Sequence, residues 1–307
     1  MPGAGPASLK SAIPQRAGAA GDVAIVPVHG VLMRHPAFID TLFGATSTEA
    51  IGRALHAAAT DPAIKAIVLD VDSPGGVVAG VQELALEVYQ ANAQKPVVAV
   101  ATDMMASAAY WISAAADSVW VANDTTRVGS IGIIAKHHDI SERERMLGIK
   151  TTEIFAGTYK TLGSAHAPLS EEARSALQAQ VDYLYSLFVD EVARYRGVSS
   201  STVLGRMADG RIFLGAQAIS AGLADGKATL EEIAGRLSVG TLARRRSIAG
   251  SAAPAPRVVA NALSLEERCQ ATWREDAEVR AEFGEDFAAF LAWERLVAAG
   301  RVINQRK

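Results

Sequence analysis

The hydrophobic pattern of the first third of the chain alternates between two periods. Apolar, β-branched runs at 23–28, 64–71 and 97–101 are typical of buried parallel strands. Between these runs, apolar residues recur at helical spacing over 51–58 and 81–89. Strands that alternate with helices of this length predict an α/β fold with a parallel β-α-β sheet as its core.

The middle of the chain continues this pattern. Helix and strand fragments over 107–155 are predicted to complete the core. A long helix is predicted from Ser170 to Arg196, with an apolar stripe from Leu177 to Val192. We expect this helix to cover the core with that stripe.

The two ends of the chain differ from the middle in composition. Residues 1–21 are rich in Pro, Gly and Ala and are predicted to be a flexible segment before a domain at 22–236. Residues 237–262 read as a flexible linker. Two apolar stripes at helical spacing then predict a C-terminal helical hairpin over 263–307, the second stripe including Phe283 and Phe290. A hairpin this small is expected to dock on a partner or on the main domain.

Composition narrows the function classes. The chain has 307 residues and a net charge of −3, which provides no electrostatic case for binding nucleic acid. Its single cysteine, Cys269, and its scattered histidines have no metal-ligand spacing, and one cysteine fits a reducing cytoplasm. The first residues lack a long apolar run, so we expect neither a signal peptide nor a membrane anchor.

A candidate nucleophile follows the third predicted strand. Ser107 stands among small residues where the strand at 97–101 gives way to a helix. An α/β fold exposes nucleophiles at such junctions, and the N–H groups of the helix N-terminus can receive the oxyanion. Alanine-rich helix starts are also common for reasons of packing alone.

A glycine pair ends the second predicted strand. The run at 64–71 is predicted to stop at Asp72, and a rigid Ser73-Pro74-Gly75-Gly76 turn follows. Backbone without Cβ can approach a substrate closely and direct its N–H groups at a developing oxyanion. An ordinary strand-to-helix turn would have the same composition.

A lysine lies in a weakly polar loop downstream. Lys160 is bracketed by Gly157 and Gly163, and no Asp or Glu lies between residues 155 and 170. Most lysines in loops are solvated and have no catalytic role. The loop alone therefore leaves the function of Lys160 open.

Taken in order, these segments resemble the signal peptide peptidase A family of serine peptidases, which includes bacteriophage head-maturation members and shares the Clp-protease/crotonase-like fold. The resemblance covers about residues 22–235. Each motif is weak alone, but five in the family's order are specific. They are Ser73-Pro74-Gly75-Gly76, Met105 to Ser113, Gly129-Ser130-Ile131-Gly132, Gly157-Thr158-Tyr159-Lys160, and Gly210-Arg211 through Ala218 to Gly222-Leu223-Ala224-Asp225.

The resemblance implies a Ser/Lys dyad, and from the lack of ligand spacing we expect no metal and no cofactor. Ser107 would be the nucleophile and Lys160 the general base, while Gly75, Gly76 and Ala108 would form the oxyanion hole and contact the substrate backbone. A free lysine has a pKa of about 10.4 and cannot accept a proton at neutral pH, so a lysine base requires a desolvated pocket. The family has Gly-Gly after the nucleophile where this chain has Ala108-Ala109, a difference that retains the backbone donor.

A histidine base is the rival hypothesis, since Clp-type proteases on this fold use Ser, His and Asp. The candidates are His137 and His138, which precede Asp139. The Clp pattern places its histidine about 25 residues after the serine, and Gly132 occupies that position here. The match therefore fails.

The resemblance also implies an assembly. In the family the serine and the lysine come from adjacent catalytic units, and this chain contains one unit. We therefore expect a closed homo-oligomer in which Ser107 of one subunit faces Lys160 of its neighbour.

The principal functional hypothesis is a serine endopeptidase that processes scaffold and capsid proteins during phage head maturation, in the cytoplasm or inside an assembling prohead. A second hypothesis is a soluble peptidase that degrades signal peptides. A third is a non-catalytic assembly protein on the same fold, and an acyl-CoA enzyme of crotonase type is a distant fourth.

Overall fold

A computed structural model describes most of the chain. The chain separates into two compact units, Met1–Ala249 and Gly250–Lys307. The described residues are 15–18, 21–157, 159–242, 269–270, 273–274, 280–281, 283–284 and 286–298.

The first unit contains both strands and helices. Its strands are β1 (Gln15–Ala17), β2 (Val23–Met33), β3 (Thr46–Ser47), β4 (Ala66–Gly76), β5 (Val97–Ala106), β6 (Ser118–Val121), β7 (Arg127–Gly129), β8 (Ile212–Leu214) and β9 (Gly226–Lys227). Its helices are α1 (Phe38–Leu42), α2 (Thr48–Thr60), α3 (Val81–Gln94), α4 (Ala108–Ala114), α5 (Ser141–Met146), α6 (Glu171–Arg196), α7 (Ser200–Arg206), α8 (Gly215–Ala221) and α9 (Leu230–Ser238).

The central sheet is mostly parallel. Its main path is β1-β2-β4-β5-β6-β9, and β3 and β7 pair beside β2 and β5. Only β1 with β2 and β7 with β8 pair antiparallel among the described strands. The predicted parallel β-α-β core with covering helices is therefore confirmed.

The strands are longer than predicted at their carboxyl ends. The predicted stop of β4 at Asp72 was wrong, because the strand continues to Gly76. Pairing with β2 causes the extension: Gly75 and Gly76 lie opposite Val31 and Leu32. Tertiary pairing thus keeps the Pro-Gly-Gly segment within β4, although these residue types favour a turn.

The two faces of the sheet are covered unequally. Helices α2, α3 and α4 pack on one face and enclose the larger apolar core. Helix α9 covers the other face near the start of the strands, where Ile233 and Leu237 pack with Val68 and Val100. The carboxyl ends of β2, β4 and β5 extend beyond the residues that α9 covers, because the cluster on this face includes no residue of β4 or β5 after Val68 and Val100.

The long helix α6 occupies almost the predicted range. The Ser170 hydroxyl accepts a hydrogen bond from Ala173 N at 3.1 Å, and Gly197 ends the helix in a left-handed conformation. Burial is uneven, because Phe188 and Val192 are buried while Leu177 is only half-buried. The predicted stripe therefore covers the core with its C-terminal half.

The chain ends only partly match the predicted segments. Within residues 1–21, predicted to be flexible, Gln15–Ala17 form β1 and pair with β2. Within the predicted linker 237–262, α9 continues to Ser238, and residues 243–262 lie outside the described residues. The domain boundaries stay predictions.

The second unit contains α10 (Phe287–Ala298). Cys269, Phe290 and Leu291 are buried together, with three aromatic side chains packed around them. The predicted second apolar stripe thus forms a local cluster. Most of the predicted first helix of the hairpin lies outside the described residues.

Candidate active site

Ser107 occupies a strained junction between β5 and α4. Its backbone has φ 52° and ψ −123°, a left-handed φ that residues with a side chain seldom adopt. The Ser107 N–H donates to Gly129 O at 2.8 Å, and its side chain is partly exposed. Strain of this kind persists where surrounding structure enforces it, and it is typical of turns that present a nucleophile.

Gly75 lies directly against Ser107. Its φ is +97°, and a Cβ there would lie 2.8 Å from Ser107 Cβ and 2.9 Å from Ala108 N. Its N–H donates to Ser73 Oγ at 3.1 Å, and the Ser73 hydroxyl donates to Gly30 O at 2.6 Å. Gly75 therefore provides room beside Ser107, while its N–H is already used inside the protein.

Gly76 and Ala108 are the remaining predicted oxyanion donors. Ala108 is the first residue of α4, and N–H groups of a first helical turn have no partner within the helix. The first helical bond in α4 runs from Trp111 N to Ser107 O, at 3.0 Å. A Cβ on Gly76 would overlap the Leu32 carbonyl oxygen, so this position also excludes a side chain.

A second serine with positive φ, Ser130, follows the residue that accepts the Ser107 N–H. Ser130 has φ 52°, and its N–H donates to Arg211 O at 2.8 Å. The preceding residue, Gly129, provides the carbonyl that accepts the Ser107 N–H. Hydrogen bonds from Arg211 hold the pKa of Asp209 below its ordinary value. In the sequence this segment supports only the family resemblance, because its contact with Ser107 is not apparent from spacing.

The last of the five sequence motifs, which ends at Asp225, has a structural role. Asp225 accepts the Val119 N–H at 2.8 Å and pairs with the buried guanidinium of Arg196 at 2.8 Å. The Leu223 carbonyl accepts the Tyr110 hydroxyl at 3.0 Å. These contacts connect α6 and the turn after α8 to β6 and α4, and so support the helix that follows Ser107.

Lys160 forms no described contact with Ser107 and the residues beside it. It lies in a turn in which its N–H donates to Gly157 O at 3.0 Å, and its side chain is exposed. Within the part of the chain that the structure describes, Lys160 forms no hydrogen bond with Ser107. The structure thus places Gly75 and Ala108 beside Ser107, and Gly76 beside Leu32 on β2.

The histidine candidates are also away from the nucleophile in the described contacts. His137 Nε2 lies 2.8 Å from Ser164 O, so this nitrogen donates to a backbone carbonyl in the neighbouring loop. His138 is exposed. Asp139 accepts hydrogen bonds from the Ser141 hydroxyl and N–H, which hold the pKa of its carboxyl below the ordinary value. This Asp is therefore engaged locally and does not orient a histidine toward Ser107.

A strained serine at the carboxyl end of a central strand in a mostly parallel α/β sheet is an arrangement that enzymes with a serine nucleophile use. Residues 89–242 match peptidase family S49. The chain belongs to this family, and the membership predicted from the ordered motifs is confirmed.

Individual relatives agree with the family match. The chain is 34% identical over 203 residues to capsid assembly protease C of Escherichia phage lambda, covering 66% of this chain and 46% of that protein. It is 34% identical to head-tail preconnector protein GP5 of Enterobacteria phage P21, covering 66% and 40%. Protease 4 of Haemophilus influenzae is 30% identical, covering 66% and 32%. The chain thus spans less than half the length of these relatives.

Within the described ranges, no helix is both long enough and apolar enough to cross a lipid bilayer.

Proposed function

We propose that this protein is a serine endopeptidase in which Ser107 attacks the scissile carbonyl. The observation that carries the proposal is the strained Ser107 between β5 and α4, with Gly75 against its Cβ and the first N–H of α4 beside it. Membership of peptidase family S49 supports the same reaction. The N–H groups of Gly76 and Ala108 are proposed to hold the oxyanion.

Lys160 of a neighbouring subunit is proposed as the general base. The side chain of Lys160 is exposed in the single chain, whereas a lysine base needs a desolvated pocket. A second subunit packed over Ser107 would supply both the lysine and the burial. The lysine would take the Ser107 proton, the tetrahedral intermediate would collapse to an acyl-enzyme, and water would hydrolyse it.

The substrates are proposed to be scaffold and capsid proteins of a phage head. The names of the lambda and P21 relatives support this assignment. The setting would be the cytoplasm of the infected bacterium or the assembling prohead.

The test is cleavage by wild type and Lys160→Ala, followed by intact-mass spectrometry. Both proteins are incubated with unfolded casein and with the capsid and scaffold proteins encoded beside the gene. We expect the wild type to cut the phage proteins selectively and Lys160→Ala to cut nothing. Lys150→Ala is the control, because Lys150 is another exposed lysine of the same region.

Each other outcome changes the proposal in a defined way. Cleavage of casein alone would argue against the capsid substrates and favour a general or signal-peptide-degrading peptidase. Full activity of Lys160→Ala would remove the lysine from the mechanism. Intact substrates with the wild type, in an oligomer of verified size, would favour an assembly protein without peptidase activity.

A further inference from the structure

Helix α4 is the element that fixes the direction of Ser107. It has seven residues, begins immediately after Ser107, and all seven of its side chains are buried. A helix of two turns is not stable by its own hydrogen bonds, so its neighbours determine how it is oriented. Whatever holds α4 in place therefore also sets where the Ser107 hydroxyl points.

Trp111 connects Ser107 to the long helix α6. Its backbone N–H donates to Ser107 O at 3.0 Å. Its side chain is 2% exposed, and its ring stacks on Phe188 with centroids 4.5 Å apart. The indole N–H donates to Glu191 Oε2 at 2.7 Å. One residue thus contacts the nucleophile through its backbone and α6 through its side chain.

Glu191 joins three helices. Its side chain is 14% exposed. One carboxylate oxygen accepts from Trp111 on α4, while the other accepts from Gln82 Nε2 on α3 at 2.9 Å. Arg194 lies 3.4 Å from that second oxygen. A carboxylate removed from water is costly unless it is hydrogen-bonded, and here both oxygens have partners.

We propose that Glu191 is a positioning residue for the nucleophile: by holding the indole of Trp111 it fixes α4 and, through α4, the direction of the Ser107 hydroxyl. This inference rests on the proposed function of Ser107. Glu191 contacts neither the proposed dyad nor the proposed oxyanion donors in the described contacts, so its role is indirect.

Glu191 can fix the position of the Trp111 ring more closely than stacking can, because it forms a charge-assisted hydrogen bond. Stacking on Phe188 holds the plane of the Trp111 ring but permits sliding within that plane. The bond to Glu191 has a preferred length and direction and is stronger than a neutral one. A displacement of about 1 Å at a reacting group can reduce a rate about 100-fold.

The experiment measures how fast Ser107 reacts with a fluorophosphonate, in which the serine oxygen bonds to phosphorus and fluoride leaves. Intact-mass spectrometry of the full chain follows the adduct, and a peptide substrate provides kcat and KM. Glu191→Leu removes both acceptors, and Glu191→Gln keeps an acceptor for the indole. Trp111→Phe keeps the stacking but removes the donor. Gln82→Ala is the matched control, because it removes the other partner of the same carboxylate.

We expect Glu191→Leu and Trp111→Phe to reduce the phosphonylation rate and kcat about 10- to 100-fold, with KM within about twofold of wild type. Glu191→Gln should restore the rate to within about threefold of wild type, because its amide oxygen can still accept from the indole. Gln82→Ala should react like wild type. Melting curves and oligomer size establish that each variant is folded.

Three results would overturn the inference. If Glu191→Leu or Trp111→Phe is folded and reacts at the wild-type rate, the hydrogen bond between Trp111 and Glu191 does not position Ser107. An equal loss in Gln82→Ala would assign the effect to the general packing of the helices. Failure of the wild type itself to form an adduct at Ser107 would refute the proposed function, and the inference with it. If Glu191→Leu does not fold, Trp111→Phe decides the question.

Discussion

The region around Ser107 and the region around Lys160 differ sharply in how far their side chains are buried. Around Ser107, the side chains of β5 and α4 are largely buried, and Met105 is 0% exposed. From residue 132 to residue 187, which we call the arm, large apolar side chains face solvent: Ile154 is 96% exposed and Met146 is 72% exposed. Monomeric proteins rarely expose so many apolar side chains in one region.

The difference favours the proposal that one chain builds only part of the site. Ser107, Gly75 and Ala108 are placed by a rigid sheet and a buried helix. Lys160 lies in the arm, which has few buried contacts of its own. A neighbouring subunit that covers the arm would bury its apolar side chains and complete the site.

The largest effect is expected for the proposed dyad. Ser107→Ala and Lys160→Ala should each reduce cleavage about a thousandfold or more, because the residues act as a unit. In an equal mixture after subunit exchange, about a quarter of the sites would combine an intact serine with a neighbour's intact lysine. We expect activity to return to that level. No recovery after exchange verified by mass spectrometry would place both residues in one chain.

A side chain at Gly75 is expected to have the next largest effect. Gly75→Ala would place Cβ 2.8 Å from Ser107 Cβ, so we expect peptidase activity to fall about 100-fold. Gly148→Ala is the matched control, since Gly148 also has positive φ but has nothing within 4 Å of the added Cβ. Equal activities of the two variants would mean that crowding at Ser107 is unimportant.

A charge on the arm tests whether a neighbour covers it. Ile154→Asp should weaken the oligomer and reduce activity about tenfold, because a buried carboxylate without a partner is costly. The melting temperature of the isolated chain should not change, since Ile154 is exposed there. Thr152→Asp is the control at a nearby exposed polar position. Sedimentation velocity provides the oligomer size. An unchanged oligomer for Ile154→Asp would show that no neighbouring subunit covers the arm at this position.

The smallest effect concerns the strain at Ser107. Its φ of 52° and ψ of −123° suit glycine, so Ser107→Gly should raise the free energy of unfolding by about 1 kcal/mol. Ser130→Gly provides a comparison at the same φ. Chemical denaturation measures both variants. A destabilised Ser107→Gly would show that the conformation is not strained.

Much of the fold could be predicted from local patterns. The run at 97–101 lies within β5, the run at 64–71 begins two residues before β4, and the helix predicted from Ser170 begins one residue later, at Glu171. These elements follow from periodicity and capping, which depend on neighbours in sequence. The carboxyl end of β4 was missed, because pairing with β2 decides where it ends.

The sequence motifs selected which residues belong to the candidate site, but they did not show what each residue does there. The ordered motifs selected Ser107, Gly75 and Ala108, and the structure places these three together. It also assigns the N–H of Gly75 to Ser73 Oγ, a bond that no spacing rule indicates. The roles of Ser107 and Lys160 in catalysis stay predictions.

The sequence by itself determined the family, the alternation of strands and helices, and the small residues beside Ser107, because these depend on residue type and short spacing. Only the tertiary structure decided that Gly75 touches Ser107, that Glu191 holds Trp111, and that Lys160 remains exposed in one chain. Such contacts join residues far apart in sequence. Their geometry depends on how whole elements pack, which no local pattern encodes.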